Sequence, residues 1–239
     1  MKNLLSKGLT GNQLKILAVI FMTIDHVGMM LFPTQKVFRI IGRLAFPIFA
    51  YTFAEGCKYT KNRTRHFFIL CLFAVLCQVI YSYIMHTLHQ NILVTLALSA
   101  ITIYSFDFAK KKGDLISYAI PASVLAGVFF ICYILPAFFS RASDFAIDYG
   151  FLGVMLPVLV YFGKDKDEKL FLLSIGLLIL GASSYSIRQL LAIGAVPILA
   201  LYNGKRGEMN MKYFFYIFYP LHLALIYIIG IFLVSLNIL

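Results

Sequence analysis

Apolar residues occur in long runs along this chain, and short polar segments separate the runs. The apolar runs cover residues 14–32, 37–57, 66–86, 91–108, 115–136, 145–162, 169–187, 189–202 and 213–236. A helix needs about 20 residues to cross the hydrocarbon core of a bilayer. Seven runs reach that length closely enough, while the fourth and eighth are short and could be thin spans or re-entrant segments. The pattern predicts an all-α, polytopic transmembrane helix bundle of about nine spans.

The positions of the basic residues test this count. Cytoplasmic loops of membrane proteins carry an excess of Lys and Arg. With the N-terminus in the cytoplasm, every second segment is basic, and these segments hold Lys2, Lys7, Lys15, Lys58, Lys61, Arg63, Arg65, Lys110, Lys111, Lys112, Lys164, Lys166, Lys169, Lys205, Arg206 and Lys212. The outer segments hold only Lys36, Arg39, Arg141 and Arg188, and Arg43 falls inside the second span. Nine spans, with the C-terminus outside, satisfy the rule at every turn.

Composition agrees with a lipid environment. The 239 residues are 61% hydrophobic and only 13% charged, whereas soluble domains carry about 25% charged residues. The net charge of +11 does not indicate nucleic-acid binding, because the cations lie in loops where membrane topology explains them. The four cysteines form no CxxC pair and predict neither a disulfide framework nor a metal site. No linker or internal repeat interrupts the chain, so we expect one domain over residues 1–239.

Ionisable residues inside the predicted spans are the first functional candidates, since such groups are costly in lipid. Asp25 and His26 lie about seven residues, or about 10 Å, from the outer end of the first span. Arg43 is expected at a similar depth in the second span. His222 lies near the middle of the last span. The predicted topology therefore brings one acid, one cation and two imidazoles into one layer of the membrane.

Structural roles compete with catalysis for each of these residues. Asp25 and Arg43 could form a buried ion pair that holds two helices together. His26 could be a hydrogen-bonded structural histidine, or a general base that takes a proton from an attacking amine or hydroxyl. Tyr219 and His222 are three residues apart and share a helix face around Pro220. They could form a hinge with a structural hydrogen bond or complete an active site.

The segment YNGKRG (202–207) is the main candidate for ligand binding at the cytoplasmic face. Asn203-Gly204 is a helix-ending turn signal, and Lys205 and Arg206 follow it. Topology alone explains these charges, but they could also bind the phosphates of a nucleotide. The basic loop that contains Arg63 and Arg65 is a second candidate for the same contacts. No P-loop, GxSxG or HExxH pattern occurs, which excludes those reaction classes.

Several stretches together resemble the TraX family of membrane proteins. They are LKILAVIFMTIDHVGMMLFP (14–33), RIIGRLAFPIFAYTFAEG (39–56), NILVTLALS (91–99), and YNGKRG followed by YFFYIFYPLHL (213–223). The founding member of that family acetylates the N-terminus of a conjugative pilin. The family is also similar to multi-span acyltransferases, which take an acyl group from a donor such as acetyl-CoA and use an intramembrane histidine.

The resemblance implies a membrane acyltransferase of a bacterial cytoplasmic membrane. His26 would be its catalytic base, with Asp25, Arg43, His222 and Tyr219 as companions. Acetyl-CoA would bind at Asn203, Lys205 and Arg206 and at the loop of Arg63 and Arg65. The acceptor would be a pilin-like protein, a lipid or an envelope glycan. A transporter with a buried polar relay and a non-catalytic assembly protein are the alternatives.

Overall fold

A computed structural model describes residues 8–139, 143–184, 186–208 and 211–237, and the regular secondary structure in this part of the chain is entirely helical, with no β-strand. Lys2, Lys7 and Arg141, which entered the charge argument, lie outside the described residues. The helices are α1 (Gly11–Met30), α2 (Lys36–Gly42), α3 (Ala45–Tyr59), α4 (Arg63–Met85), α5 (Ile92–Lys112), α6 (Ala119–Phe129), α7 (Leu135–Phe139), α8 (Gly150–Phe162), α9 (Lys166–Ser183), α10 (Ile187–Leu190), α11 (Ala195–Ala200) and α12 (Lys212–Ser235). The predicted all-α class is confirmed.

Six helical stretches in the described residues are long and apolar enough to cross a membrane. They are Gly11–Met30, Lys36–Tyr59, Arg63–Met85, Ile92–Lys112, Leu115–Phe139 and Tyr213–Ser235. Two further apolar stretches, Gly150–Phe162 and Ile187–Ala200, are shorter. The count of nine spans and the orientation of the chain stay predictions.

Two of the apolar runs differ in length from the helices that form within them. The fourth run, predicted to be short, is the 21-residue helix α5, which continues through its final lysines to Lys112. The sixth run, predicted to be long, supplies only the 13 residues of α8. Its first residues lie instead in extended chain, because Tyr149 and Gly150 both have positive φ values of 59° and 58°.

Hydrogen bonds to the preceding loop hold that extended chain in place. The backbone N–H of Gln90 donates to the carbonyl of Ala146 at 2.7 Å. Asp144 accepts from the Thr87 hydroxyl and from the Leu88 backbone N–H. These two bonds, the Thr87 contact first, lower the pKa of the exposed Asp144 carboxyl below its ordinary value. These bonds therefore fix residues 144–146 as a loop rather than as a first helical turn.

Prolines explain the two main irregularities in the long helices. Pro47 has no N–H to donate to the carbonyl of Arg43, and the helix is interrupted there, between α2 and α3. Pro136 likewise cannot bond to the carbonyl of Cys132, and a π-helical turn (Phe130–Ile134) joins α6 to α7. The first break places Arg43 at the end of α2 rather than in the middle of a continuous helix.

The chain divides into two compact units. Unit 1 contains residues 1–52 and 163–239, and unit 2 contains residues 53–162. Within unit 2, α5 packs against α4, α6 and α8. Its small polar side chains make this packing close: Ser99 Oγ, for example, donates to the carbonyl of Val154 on α8 at 2.8 Å.

Glycines bring α1 and α2 together within unit 1. A Cβ atom added to Gly28 would lie 2.2 Å from Phe38 Cβ, and one added to Gly42 would lie 2.1 Å from Asp25 Oδ1. Any larger residue at either position would force the helices apart. Because of this close approach, α2 packs directly against the face of α1 that carries Asp25.

Candidate functional site

Two imidazoles from opposite ends of the sequence meet in unit 1. His26 on α1 and His222 on α12 lie with His26 Nδ1 and His222 Nε2 3.0 Å apart. Their ring centroids are 4.9 Å apart and their planes are inclined by 61°. The His222 residue is only 5% exposed, whereas His26 is partly accessible. The structure thus joins the two histidines that the sequence placed at a common depth.

The neighbouring carbonyls determine which ring nitrogens carry protons. His222 Nδ1 lies 3.0 Å from the carbonyl oxygen of Phe218, which can only accept, so Nδ1–H donates and Nε2 holds a lone pair. His26 Nδ1 lies 3.0 Å from both the Met22 carbonyl and His222 Nε2, two acceptors, so it also carries a proton. This assignment leaves His26 Nε2 with a free lone pair. In this assignment His26 Nε2 is unprotonated, and His222 Nε2 accepts the hydrogen bond of the opposite His26 nitrogen.

Aromatic rings fix the orientation of His222. The ring of Phe218 stacks on it at a centroid distance of 5.1 Å with planes inclined by 7°. Tyr219, which is 6% exposed, packs edge-on against His222 at 5.6 Å and against His26 at 6.4 Å. The predicted companion Tyr219 therefore does lie beside both imidazoles.

The carboxylate next to His26 in sequence has a different direct partner from the predicted one. Asp25 Oδ2 accepts from Arg39 Nη1 at 2.5 Å. The expected partner Arg43 is near enough to act on Asp25 electrostatically, but the ion pair that the structure shows uses Arg39, which the topology argument had placed in an outer segment. The reason is that α2 begins at Lys36 and places Arg39 opposite Asp25, whereas Arg43 follows the helix end.

The second oxygen of this carboxylate is in an unusual position. Asp25 Oδ1 is buried and accepts no hydrogen bond from the described residues. It faces Gly42, where only a hydrogen atom fits. The polar centre of unit 1 therefore combines a hydrogen-bonded imidazole pair, an Asp25–Arg39 ion pair and a second nearby cation, Arg43.

The segment around Lys205 and Arg206 is joined to the start of α1, which sequence reasoning did not foresee. The backbone N–H groups of Gly11 and Asn12 donate to the carbonyls of Lys205 and Arg206 at 2.8 and 2.9 Å. The Asn203 side chain accepts from the Lys205 N–H at 3.0 Å, and Gly204 has a φ of 75°. This leaves the side chains of Lys205 and Arg206 exposed. The helix that carries His26 thus begins on this loop, and the helix that carries His222 follows it.

A second polar cluster, missed by sequence reasoning, lies in unit 2. The predicted ligand-binding residue Arg63 forms an ion pair with Asp107 at 2.7 Å, and its guanidinium lies 5.6 Å from the Tyr104 ring centroid. The Tyr161 hydroxyl donates to the same Asp107 carboxylate, at 2.5 Å. Arg65, by contrast, is exposed. Asp107 was the signal that could have revealed the cluster, since it is an acid inside an apolar run.

His66 extends this cluster. Its Nδ1 lies 2.7 Å from the hydroxyl of Tyr104, and its ring lies 5.9 Å from that of Phe53. Because the carboxylate of Asp107 is shared by α4 and α8 at the end of α5, the cluster holds three helix ends together.

We expect Asp107→Ala to destabilise the protein by about 1–3 kcal/mol, because it removes the partner of Arg63 and of the Tyr161 hydroxyl. Reversible unfolding of the purified protein in detergent measures this change. Glu208→Gln, which alters an exposed carboxylate, serves as the control and should change stability little. Equal stability of Asp107→Ala and the control would contradict a structural role for the cluster.

The helical fold and the polar centre of unit 1 together define the class of protein. The chain is a helical membrane protein that encloses an imidazole pair and an ion pair, each only partly accessible, among its apolar helices. It belongs to the TraX family, since the family model described as "TraX protein" matches residues 10–230. No solved structure matches the chain.

The chain is similar to two curated proteins, and the alignment covers a different share of each. The chain is 26% identical over 245 aligned positions to the "Probable fimbrial assembly protein FimC, serogroup H1" of Dichelobacter nodosus, covering 90% of this chain and 93% of that protein. It is 33% identical over 159 residues to an uncharacterized protein of Rickettsia prowazekii, covering 66% of this chain but only 57% of that protein. Both are proteins of bacteria.

Proposed function

We propose that this TraX family member is a membrane-embedded acyltransferase, which moves an acetyl or other short acyl group from acyl-CoA to an amine or hydroxyl of a protein, lipid or envelope glycan. The observation that carries the proposal is the hydrogen-bonded imidazole pair, whose assigned tautomers give His26 Nε2 a lone pair. A lone-pair nitrogen at that depth is what a general base requires.

The proposed transfer proceeds by direct attack. The acceptor nitrogen or oxygen bonds to the thioester carbonyl carbon while its proton passes to His26 Nε2. The C–S bond then breaks, and the proton moves from His26 to the departing sulfur, so that free CoA and the acylated acceptor result. His222 Nε2 accepts the Nδ1–H of His26 throughout and so stabilises the imidazolium that forms between these steps.

Charge in the same centre supports the developing oxyanion. Arg39 and Arg43 place two cations against the single carboxylate of Asp25. In a low-dielectric site, positive charge held close to the reacting carbonyl stabilises negative charge that appears in the transition state. The ion pair with Asp25 also keeps this charge in position before the reaction begins.

The donor phosphates are assigned to the exposed side chains of Lys205 and Arg206, with Asn203 holding the turn. Arg63 is less suited to this role, because Asp107 already neutralises it. We assign the protein to the cytoplasmic membrane of a bacterium, with this loop on the cytoplasmic side, where acyl-CoA is available.

Donor binding gives a direct test. Acetyl-CoA should raise the unfolding temperature of the purified protein, and Lys205→Gln/Arg206→Gln should abolish that increase. Lys110→Gln/Lys111→Gln removes two exposed cations elsewhere and should leave it unchanged. Absence of any stabilisation of the unmodified protein by acetyl-CoA would count against the enzyme.

A non-catalytic role in fimbrial assembly is the second candidate, favoured by the name of the Dichelobacter relative. In that case the buried imidazoles would be structural. Fimbriation would then survive any substitution of His26 that preserves folding.

A further inference from the structure

The first turn of α1 holds the backbone of the loop that carries Lys205 and Arg206. Gly11 and Asn12, which are consecutive in α1, donate their N–H groups to the carbonyls of Lys205 and Arg206 at 2.8 and 2.9 Å. The first N–H groups of a helix have no partner within the helix, and here two of them bond to this loop. The peptide groups that follow Lys205 and Arg206 are therefore fixed in orientation.

The other two N–H groups of this turn bond to Thr10. The N–H of Gln13 donates to Thr10 Oγ1 at 3.3 Å, and the N–H of Leu14 donates to the Thr10 carbonyl at 3.0 Å. The Gln13 side chain accepts from the Thr10 N–H at 2.8 Å, which completes a capping box. The first turn of α1 therefore holds the loop in place and is not itself a phosphate site.

The same segment of chain also holds the loop on the other side of its turn. Leu9 donates its N–H to the carbonyl of Leu201 at 2.7 Å, and Asn203 donates its N–H to the carbonyl of Leu9 at 2.9 Å. A Cβ atom added to Gly8 would lie 2.7 Å from the Leu201 oxygen. The turn with Lys205 and Arg206 is thus tied to residues 8–12 both before and after the two cations.

Gly207 allows the second of these contacts to be so close. Its φ is 96°, a conformation that favours glycine. A Cβ atom added to it would lie 3.1 Å from Thr10 Oγ1 and 3.2 Å from Asn12 Nδ2. Asn12 is only 6% exposed, so its side chain has little room to move away. A side chain at position 207 would therefore push the loop away from α1 directly after Arg206.

We propose that Gly207, packed against Thr10 and Asn12, is a positioning residue for the acyl donor. It keeps the Arg206 backbone close to α1 and so directs the Arg206 side chain to a phosphate of acyl-CoA. This inference rests on the proposed function, in which Lys205 and Arg206 bind the donor phosphates.

The kinetic signature of this role differs from that of a catalytic residue. The phosphates of acyl-CoA are remote from the thioester and are unchanged by the transfer, so contacts to them stabilise the ground state and the transition state equally. Losing such a contact raises KM and leaves kcat unchanged. A residue that acts on the thioester would lower kcat instead.

Acyl transfer by the full-length protein in membrane vesicles, measured over a range of acetyl-CoA concentrations, tests the proposal. Gly207→Ala should raise the KM for acetyl-CoA by about tenfold, the contribution of one charge-assisted hydrogen bond. It should change kcat by less than about twofold. Because Gly207 acts through Arg206, adding Gly207→Ala to Arg206→Gln should raise KM no further than Arg206→Gln alone.

Gly113→Ala is the matched control for backbone strain. Gly113 follows α5 in unit 2 and has a φ of 77°, and an added Cβ would meet nothing within 4 Å. The variant therefore carries a similar backbone strain without a crowded contact, and its KM and kcat should equal those of the unmodified protein.

Thr10→Ala and Thr10→Ser test the same contact while Gly207 is unchanged, and they decide the matter if Gly207→Ala does not fold. Alanine removes the hydroxyl that caps α1 and lies against Gly207, so KM should rise. Serine keeps this hydroxyl and should restore the original KM. Equal KM values for the two variants would contradict the proposal.

Several results would overturn the positioning role while leaving the proposed function intact. They are an unchanged KM in Gly207→Ala, a fall in its kcat alone, an equal rise of KM in Gly113→Ala, or a further rise when Gly207→Ala is added to Arg206→Gln. Failure of the unmodified protein to transfer an acetyl group would instead reject the proposed function, and this inference with it.

Discussion

His26→Ala is expected to lower acyl transfer by about 10²- to 10⁴-fold, the usual contribution of a general base. His26 Nε2 is the nitrogen of the imidazole pair that is assigned a lone pair, so this variant removes the proposed base. The measurement is incorporation of label from radioactive acetyl-CoA into the lipid and protein of membrane vesicles that contain each variant. His222→Gln should show a smaller loss, because it removes the support of His26 but not the base.

His86→Asn is the matched control for the loss of an imidazole. His86 is exposed and has a φ of 50°, a conformation that Asn tolerates. It should retain full activity. Undiminished transfer by a correctly folded His26→Ala protein would end the catalytic assignment and favour the assembly role.

The second large effect concerns the Asp25–Arg39 ion pair. Asp25→Asn alone leaves a cation without its carboxylate inside the apolar helices, and Arg39→Gln alone leaves the carboxylate. Removing one partner of a buried pair costs about 3–5 kcal/mol, and because the Arg39 and Asp25 side chains are still 22% and 19% exposed, we expect each single variant to lose about 2–3 kcal/mol. Asn is chosen because its shape still fits against Gly42.

The double variant, Asp25→Asn/Arg39→Gln, completes a double-mutant cycle with the two single variants and the unmodified protein. It should be more stable than the sum of the single changes predicts, since neither charge is left alone. Thermal unfolding in detergent measures all four proteins. Strictly additive losses would show that the contact between these two side chains contributes nothing to the fold.

Hydrophobic patterning was sufficient to locate the helices of this protein. All nine apolar runs contain a helix in the structure, because a segment without water must satisfy its backbone internally. The lengths were harder to predict. Run 145–162 is apolar from its first residue, but hydrogen bonds from the neighbouring loop, at Thr87, Leu88 and Gln90, keep its beginning out of the helix.

The candidate site was predictable in outline only. The cost of burying ionisable groups pointed to His26 and His222, and these do meet. The partner of Asp25 was not predictable, since it depends on where α2 begins and on the close approach that Gly42 permits. Asp107 and its partners were not predicted because they lie near a helix end. A charged residue there is not deep in the membrane, so its position alone does not mark it as costly.

The hydrogen bonds that tie residues 9–12 to residues 201–206 have a mechanical consequence. Helix α1 begins on this loop and α12 follows it along the chain, so the helices that carry His26 and His222 share this anchoring point in unit 1.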